Sequence, residues 1–325
     1  MKALVYTGGR ALEIRQVPDP VPKPGEVLVR VDAVGICGSD IHAYLGHDER
    51  RPAPLILGHE VAGTIASGAR TGQRVTVNPL ATCGTCPACR EGRDNLCPER
   101  QIISMPPREG GFAEFITSPE RNLVAIPDAL PATVACLAEP LACGWHAVKL
   151  GNRVLGGPAT RVLILGGGAI GFGAALAARA LGSTDVTIVE PNAIRRQRLT
   201  EIDDFPVVER APSGAAPDLV IDAAGFGATR AVASETVRPG GVILHIGLGQ
   251  ATDGLNIRRM TLQEITFIGT YTYSHSDFEE CTAAIIEGRL GRCDWTDIRD
   301  LADGAAAFAG MVGNAIASPK VVLVP

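Results

Sequence analysis

Aromatic residues are scarce: two Trp, four Tyr and eight Phe make up 4% of the 325 residues. That scarcity gives little sign of a large hydrophobic ligand pocket, which aromatic side chains usually help to line. No run of about 18 uninterrupted apolar residues occurs, so a transmembrane helix is excluded. Charge of one sign is also lacking. The 30 Lys+Arg stand against 35 Asp+Glu, a net charge of −5 without a basic run, which argues against a nucleic-acid surface. The opening Met1-Lys2-Ala3-Leu4-Val5-Tyr6 is too short an apolar segment for a secretory signal. The expectation is a cytoplasmic protein with neither membrane nor nucleic acid as a partner. With 46% hydrophobic and 20% charged residues, the chain can bury enough surface to offset its conformational entropy. Its length predicts two domains of about 150 residues each.

Glycine and cysteine, by contrast, are abundant. Glycine contributes 38 residues against a usual share of about 7%, implying many tight turns and close backbone approaches. The nine cysteines are an odd number in a chain read as cytoplasmic. Clustered thiols there point to metal binding or catalysis rather than disulfides.

The first third reads as short strands between turn residues. Glu26-Val-Leu-Val-Arg-Val31 alternates polar and apolar after a Pro-rich run from Pro18 to Gly25, with further strands at 74–77 and 112–116. From about Arg161 the texture changes. Strand-like runs at 162–165, 186–189, 219–221, 242–246 and 266–269 alternate with Ala-rich helical stretches, the pattern of a parallel sheet with helices on both faces. A helix around 278–287 and a strand over 320–324 close the chain. There is no internal repeat and no low-complexity segment.

The apolar strand Arg161-Val-Leu-Ile-Leu165 runs at once into Gly166-Gly167-Gly168-Ala169-Ile170-Gly171 and an Ala-rich helix. Gly166, Gly168 and Gly171 satisfy G-x-G-x-x-G in its strand–turn–helix context. The first glycine permits the tight turn, the second lets the backbone approach a pyrophosphate, and the third lets helix and strand pack closely. The phosphates then meet free N–H groups at the helix N-terminus. Glu190 ends the next strand, where a carboxylate bonds the adenosine ribose hydroxyls and repels a 2′-phosphate. NAD is therefore favoured over NADP, with the nearby Arg195 and Arg196 weighing the other way.

Cys83, Cys86, Cys89 and Cys97 form C-x2-C-x2-C-x7-C, a spacing at which four thiolates wrap one tetrahedral ion. Zinc suits it, with an iron–sulfur cluster as the rival. Four sulfurs close the coordination sphere, so the site is structural. A second set is dispersed: Gly35-Ile-Cys37-Gly-Ser39-Asp40-Ile-His42, Gly58-His59-Glu60, and Glu139-Pro140. Together these offer sulfur, nitrogen and carboxylate donors that suit a catalytic zinc with an open position. Singly, each Cys or His is as readily a core residue, and spacing alone does not bring them together.

In combination these elements resemble the zinc-dependent medium-chain alcohol dehydrogenases. Gly35–His42, Gly58-His-Glu60, the four-cysteine loop, Gly110-Gly-Phe-Ala-Glu114, Glu139-Pro-Leu-Ala142 and the Gly166 loop occur in the family's order, over essentially the whole chain. The Glu-Pro-Leu-Ala element is similar to that of the sorbitol (polyol) and threonine dehydrogenase branch. The resemblance implies an α/β protein with a GroES-like β-rich catalytic domain from residues 1–140 and 271–325. A Rossmann domain, a doubly wound parallel sheet, would span 141–270. It also implies a catalytic zinc on Cys37, His59 and Glu60, with Glu139 binding directly or through water, and a structural zinc on the four cysteines. Asp40 would orient the ligating imidazole, Ser39 and His42 would relay the proton, and Lys320 would meet the pyrophosphate. The chain departs from the family in being trimmed after Gly63 and between Glu190 and Asp222, and in carrying Gln73 where an Asp is usual.

The implied activity is reversible, NAD-linked oxidation of a secondary alcohol to a ketone. A polyol or sugar alcohol is the expected small-molecule substrate, and a simple alcohol or L-threonine the alternative. An inactive binding or structural relative is the reading from another class, but such a protein would have lost some ligand. A zinc-free quinone or enoyl reductase would lack Cys37-x-x-Asp40 and His59-Glu60. The family also implies a homodimer or homotetramer. Tyr44, Phe112 and Tyr271 either line the substrate pocket or pack in the core. Cys136, Cys143, Cys281 and Cys293 remain as plain thiols.

Overall fold

A computed structural model describes all 325 residues. A small antiparallel sheet of residues 2–8, 11–16 and 55–56 opens the β-rich part. Its larger sheet is built from β1 (Glu26–Gly35), β2 (Glu60–Ile65), β3 (Arg74–Val77), β4 (Phe115–Pro119) and β5 (Leu123–Ala125). Alternation along β1 buries Val27, Val29 and Val31 and leaves Arg30 in water, as a side-chain period of two requires. A register shift against β2 between Val31 and Ala33 interrupts the alternation, and Ala33, Val34 and Gly35 are all buried. The short helix α1 (Gly38–Tyr44) follows. The strand expected over 112–116 starts later, at Phe115. Phe112 is instead buried in the preceding bend, edge-on to Phe308 at 5.8 Å.

The second part is built on β6 (Arg161–Leu165), β7 (Asp185–Val189), β8 (Val207–Val208), β9 (Leu219–Asp222), β10 (Val242–His245) and β11 (Thr266–Gly269). Neighbouring strands are all parallel, in the order β8-β7-β6-β9-β10-β11. The order reverses between β6 and β9, and the crevice above their carboxyl ends is where a doubly wound sheet takes its ligand. The shortened stretch falls at β8, which has only two residues and reaches β9 without a helix.

The C-terminal strands, β12 (Thr296–Asp300) and β13 (Lys320–Val324), rejoin the larger β-rich sheet, whose order is β5-β3-β2-β1-β13-β12 with β4 also on β1. Both ends of the chain thus build the β-rich part. The return comes later than Tyr271, however. The helices α2 (Ala138–Leu155), α3 (Ala169–Ala180) and α4 (His275–Ile286) share one core with the parallel sheet. Leu141, Trp145 and Val148 of α2 pack there with Phe172 and Leu176 of α3 and with Phe278, Cys281 and Ile285 of α4. Tyr273 and Trp295 belong to the same core, so the apolar face of α4 keeps residues 273–295 with the α/β part.

Candidate metal centre and cofactor crevice

Cys37 leaves β1 and caps α1, while His59 immediately precedes β2 and Glu60 opens it. The antiparallel register sets Gly35 opposite Glu60, and the ligand atoms of Cys37, His59 and Glu60 come within 4.8 Å of one another. Asp40 stands behind them, fully buried. Its Oδ2 accepts the Cys37 N–H at 3.0 Å, and its Oδ1 accepts the Gly58 N–H at 3.3 Å and the Ser104 hydroxyl at 3.4 Å. Oδ1 also faces His59 Nδ1 across 3.6 Å, an ion-pair rather than a hydrogen-bond distance, and Nδ1 has no hydrogen-bond partner. Burial opposes ionisation of Asp40, but His59, Arg51 and the Cys37 N–H hold its carboxyl below the usual range. Burial likewise disfavours a charged imidazole, yet Asp40 and Cys37 raise the His59 pKa well above its ordinary value. The pocket therefore favours positive charge among these donors.

The donor set fits zinc. Glu60 Oε2 is buried without a hydrogen-bond partner, a costly state for a carboxylate oxygen unless a cation takes it. Thiolate, imidazole and carboxylate are the groups that bind this ion. The other oxygen, Oε1, lies 2.5 Å from Lys320 Nζ, which also donates to the Ile36 carbonyl at 3.0 Å. Burial works against the ammonium, but Glu60 and Cys37 raise its pKa and keep it charged. Lys320, which the resemblance would set on the pyrophosphate, is thus buried in an ion pair with Glu60. β13 runs beside β1, with Val322 opposite Gly35, and this carries the lysine to Glu60.

Glu139, in the first turn of α2, is not one of the close triplet. Its Oε1 accepts the Tyr273 hydroxyl at 2.7 Å, and burial together with the nearby Glu60 raises its pKa. Ser39 and His42 are three apart on α1, a spacing that puts them on one face, with the serine half-buried and the histidine exposed. Sequence reasoning missed Tyr273, Ser104 and Arg51, for which no motif gives a signal. Of the three aromatics left open, Tyr44 and Phe112 both pack on Phe308. Tyr271 lies under the Arg100 guanidinium, 4.8 Å from its ring centre. Burial pushes the thiols of Cys136, Cys143 and Cys281 up and that of Cys293 to about 12, as expected of unreactive thiols.

The four-cysteine loop is already folded round a point. Sγ of Cys83 lies 3.9 Å from Cys89 and 3.5 Å from Cys97. A tetrahedron with Zn–S bonds of about 2.3 Å has edges of about 3.8 Å. N–H groups of Thr85 and Cys86 point at Cys83 and lower its pKa to about 6, while burial and neighbouring thiols push Cys89 to about 12. The loop is tied to the chain beyond β11: Asn95 Nδ2 donates to the Tyr271 carbonyl at 2.7 Å, and Asp94 Oδ1 accepts the His275 N–H at 3.0 Å.

At the crevice, Gly166 has φ +103°, and a Cβ on Gly171 would overlap the Gly166 carbonyl. Beside Gly168 there is only open space, as an approaching phosphate needs. Ala169 and Ile170 open α3 between these glycines. Glu190 is buried, accepting the Gly167 N–H at 2.9 Å on Oε2 and the Asn192 N–H at 2.8 Å on Oε1. Arg195 Nη1 stands 3.2 Å from the same Oε2, so it is held by the carboxylate rather than free. Arg196 bonds the Glu190 and Pro191 carbonyls.

Residues 23–128 match the alcohol dehydrogenase GroES-like domain family, and residues 169–287 match the zinc-binding dehydrogenase family. The chain is 33% identical over 297 residues to sorbitol dehydrogenase of Bacillus subtilis, covering 85% of this chain and 83% of the relative. It is 31% identical over 307 residues to L-galactonate-5-dehydrogenase of Escherichia coli, covering 89% and 88%. A solved structure described as a zinc-binding dehydrogenase, from Sinorhizobium meliloti and bound to NADP, superposes with a TM-score of 0.89 at 28% identity, covering 100% of this chain and 99% of the other.

Proposed function

The chain belongs to the zinc-dependent medium-chain alcohol dehydrogenases, a family of oxidoreductases, and from that premise we propose that it reversibly oxidises a secondary hydroxyl of a polyol or sugar alcohol with NAD. One observation carries the reading: Cys37, His59 and Glu60 converge within 4.8 Å and leave a buried carboxylate oxygen without a partner. In this reading the three hold the catalytic zinc, and Glu139 joins them directly or through water. Asp40 fixes the imidazole, and Cys83, Cys86, Cys89 and Cys97 hold a second zinc that supports the fold. The zinc, when bound, would supply a Lewis acid for the substrate hydroxyl and the nicotinamide an acceptor for the hydride. Ser39 takes the hydroxyl proton, and His42, exposed on the same face of α1, releases it towards water. Lys320 keeps Glu60 charged and in place, Glu190 receives the ribose hydroxyls, and the Gly166–Gly171 loop receives the pyrophosphate.

The polyol class follows from the relatives, whose names give a sugar alcohol and a sugar acid as substrates. No helix is long and apolar enough to cross a membrane. A homodimer or homotetramer is supported by the family resemblance. The purified protein should carry about two zinc ions per chain, one per site. It should oxidise members of a panel of polyols, sugar acids, threonine and simple secondary alcohols, with NAD+ preferred to NADP+. A two-zinc protein that oxidises none of them with either cofactor would overturn the reading, and a preference for threonine would move it to the alternative branch.

A further inference from the structure

Arg51 lies in the charged run Asp48-Glu-Arg-Arg-Pro52, where a solvated side chain is the natural expectation, yet it is only 3% exposed. Its Nε donates to the Ser104 carbonyl at 3.0 Å. Its Nη1 donates to Asp48 Oδ2 at 2.7 Å and points at the Ser39 carbonyl at 3.4 Å. Ser104 is fully buried with φ +76°, a conformation that residues with side chains seldom hold unless their surroundings impose it. Its hydroxyl is the one that bonds Asp40 Oδ1. The guanidinium thus grips the main chain just before Asp40 and the residue that bonds the Asp40 carboxylate. A planar fork of donors suits three acceptors arranged in this way, and a lysine ammonium does not match it.

We propose that Arg51 is a positioning residue of the catalytic metal centre, clamping Ser39 and Ser104 so that the Asp40 carboxylate stays against His59 Nδ1 and the imidazole keeps one orientation towards zinc. The inference rests on the dehydrogenase reading, which supplies the zinc. Asp48 retains a cation when Arg51 is replaced, because Arg50 bonds it at 2.8 and 3.0 Å. Replacement therefore leaves no lone buried carboxylate behind.

The test is the rate of zinc loss to a chelator, with the four-cysteine zinc of the same chain as the internal reference. Arg51→Gln should release one zinc about ten-fold faster, at the low end of the roughly 10- to 100-fold affinity loss seen when a group behind a metal ligand is removed. The second zinc should leave at the wild-type rate. Arg51→Lys should fall between wild type and Arg51→Gln, and it decides the matter if the glutamine variant does not fold. Wild-type rates for both ions, or equal acceleration of both, would overturn the proposal. A wild-type protein that binds fewer than two zincs and shows no NAD(P)-linked oxidation would instead sink the dehydrogenase reading, and this inference with it.

Discussion

Gly35 shows how much one missing side chain can decide. A Cβ there would overlap Glu60 Oε2, and Glu60 is not free to retreat because Lys320 holds its other oxygen at 2.5 Å. Gly35→Ala should therefore push the carboxylate out of the triplet. Metal analysis should then find about one zinc per chain in place of two, with the four-cysteine site still loaded; a variant that keeps both would show that Glu60 is dispensable. The sequence displays Gly35 next to Cys37, but only the β1–β2 register explains why a glycine is needed. Tyr273 illustrates the opposite case. It sits two residues after a similar tyrosine, with no motif around it, and its role appears only when its hydroxyl is found on Glu139.

Among the elements, the β6–turn–α3 unit was readable in advance because its demands are local. Three glycines must allow a turn, a phosphate approach and a close packing, and a carboxylate must end the following strand. Glu190 holds Arg195 through Oε2, so Glu190→Ser would remove the charge that repels a 2′-phosphate and free the arginine to meet one. The ratio of kcat/KM for NADP+ to that for NAD+ should rise by about ten-fold or more, each ten-fold step corresponding to about 1.4 kcal/mol; an unchanged ratio would place cofactor choice elsewhere. The helix α4 gives a prediction in pH. Burial works against the Asp277 carboxylate, but His146, Lys149 and Ser274 hold its pKa well below the usual range, with His146 Nδ1 and Lys149 Nζ both at 2.6 Å. A pKa depressed on folding adds stability that is complete above the unfolded value of about 3.9 and is lost as pH falls below it. Asp277→Asn should lower Tm at pH 7 by a few degrees, and the gap from wild type should narrow below about pH 4. A constant gap across that range would count against the ion pairs as its source.

Across the whole molecule, the four-cysteine lobe is linked to Glu139 by the chain between β11 and α4. The four-cysteine lobe holds Tyr271 through Asn95 and Arg100 and His275 through Asp94, and between these anchors Tyr273 reaches Glu139. Loss of the lobe should therefore reach the proposed catalytic site although no lobe residue hydrogen-bonds Cys37, His59 or Glu60. Cys97→Ser is expected to drop zinc content to about one per chain and to lower kcat/KM as well as Tm. Full activity in that variant at a temperature where it is folded would show the two sites to be independent.

The sequence by itself determined whatever depends on neighbours in the chain. The four cysteines lie within 15 residues of one another and close on one point, the glycine loop carries its own turn, and the parallel strands declare themselves by apolar runs between helices. The stitched architecture was implied by the family resemblance, with which the change of texture agrees, whereas the packing of α4 on α2, which keeps residues 273–295 with the α/β part, leaves no mark on local composition. Only the tertiary structure decided what depends on sheet register and burial. The pairing of β1 with β2 and β13 brings Cys37, His59, Glu60 and Lys320 together from distant segments, and it pairs the lysine with Glu60, a contact that no local motif announces. Burial turns Arg51 from a surface charge into a clamp. Register and burial are settled by the whole core at once, whereas turns and ligand spacings are settled by a few consecutive residues.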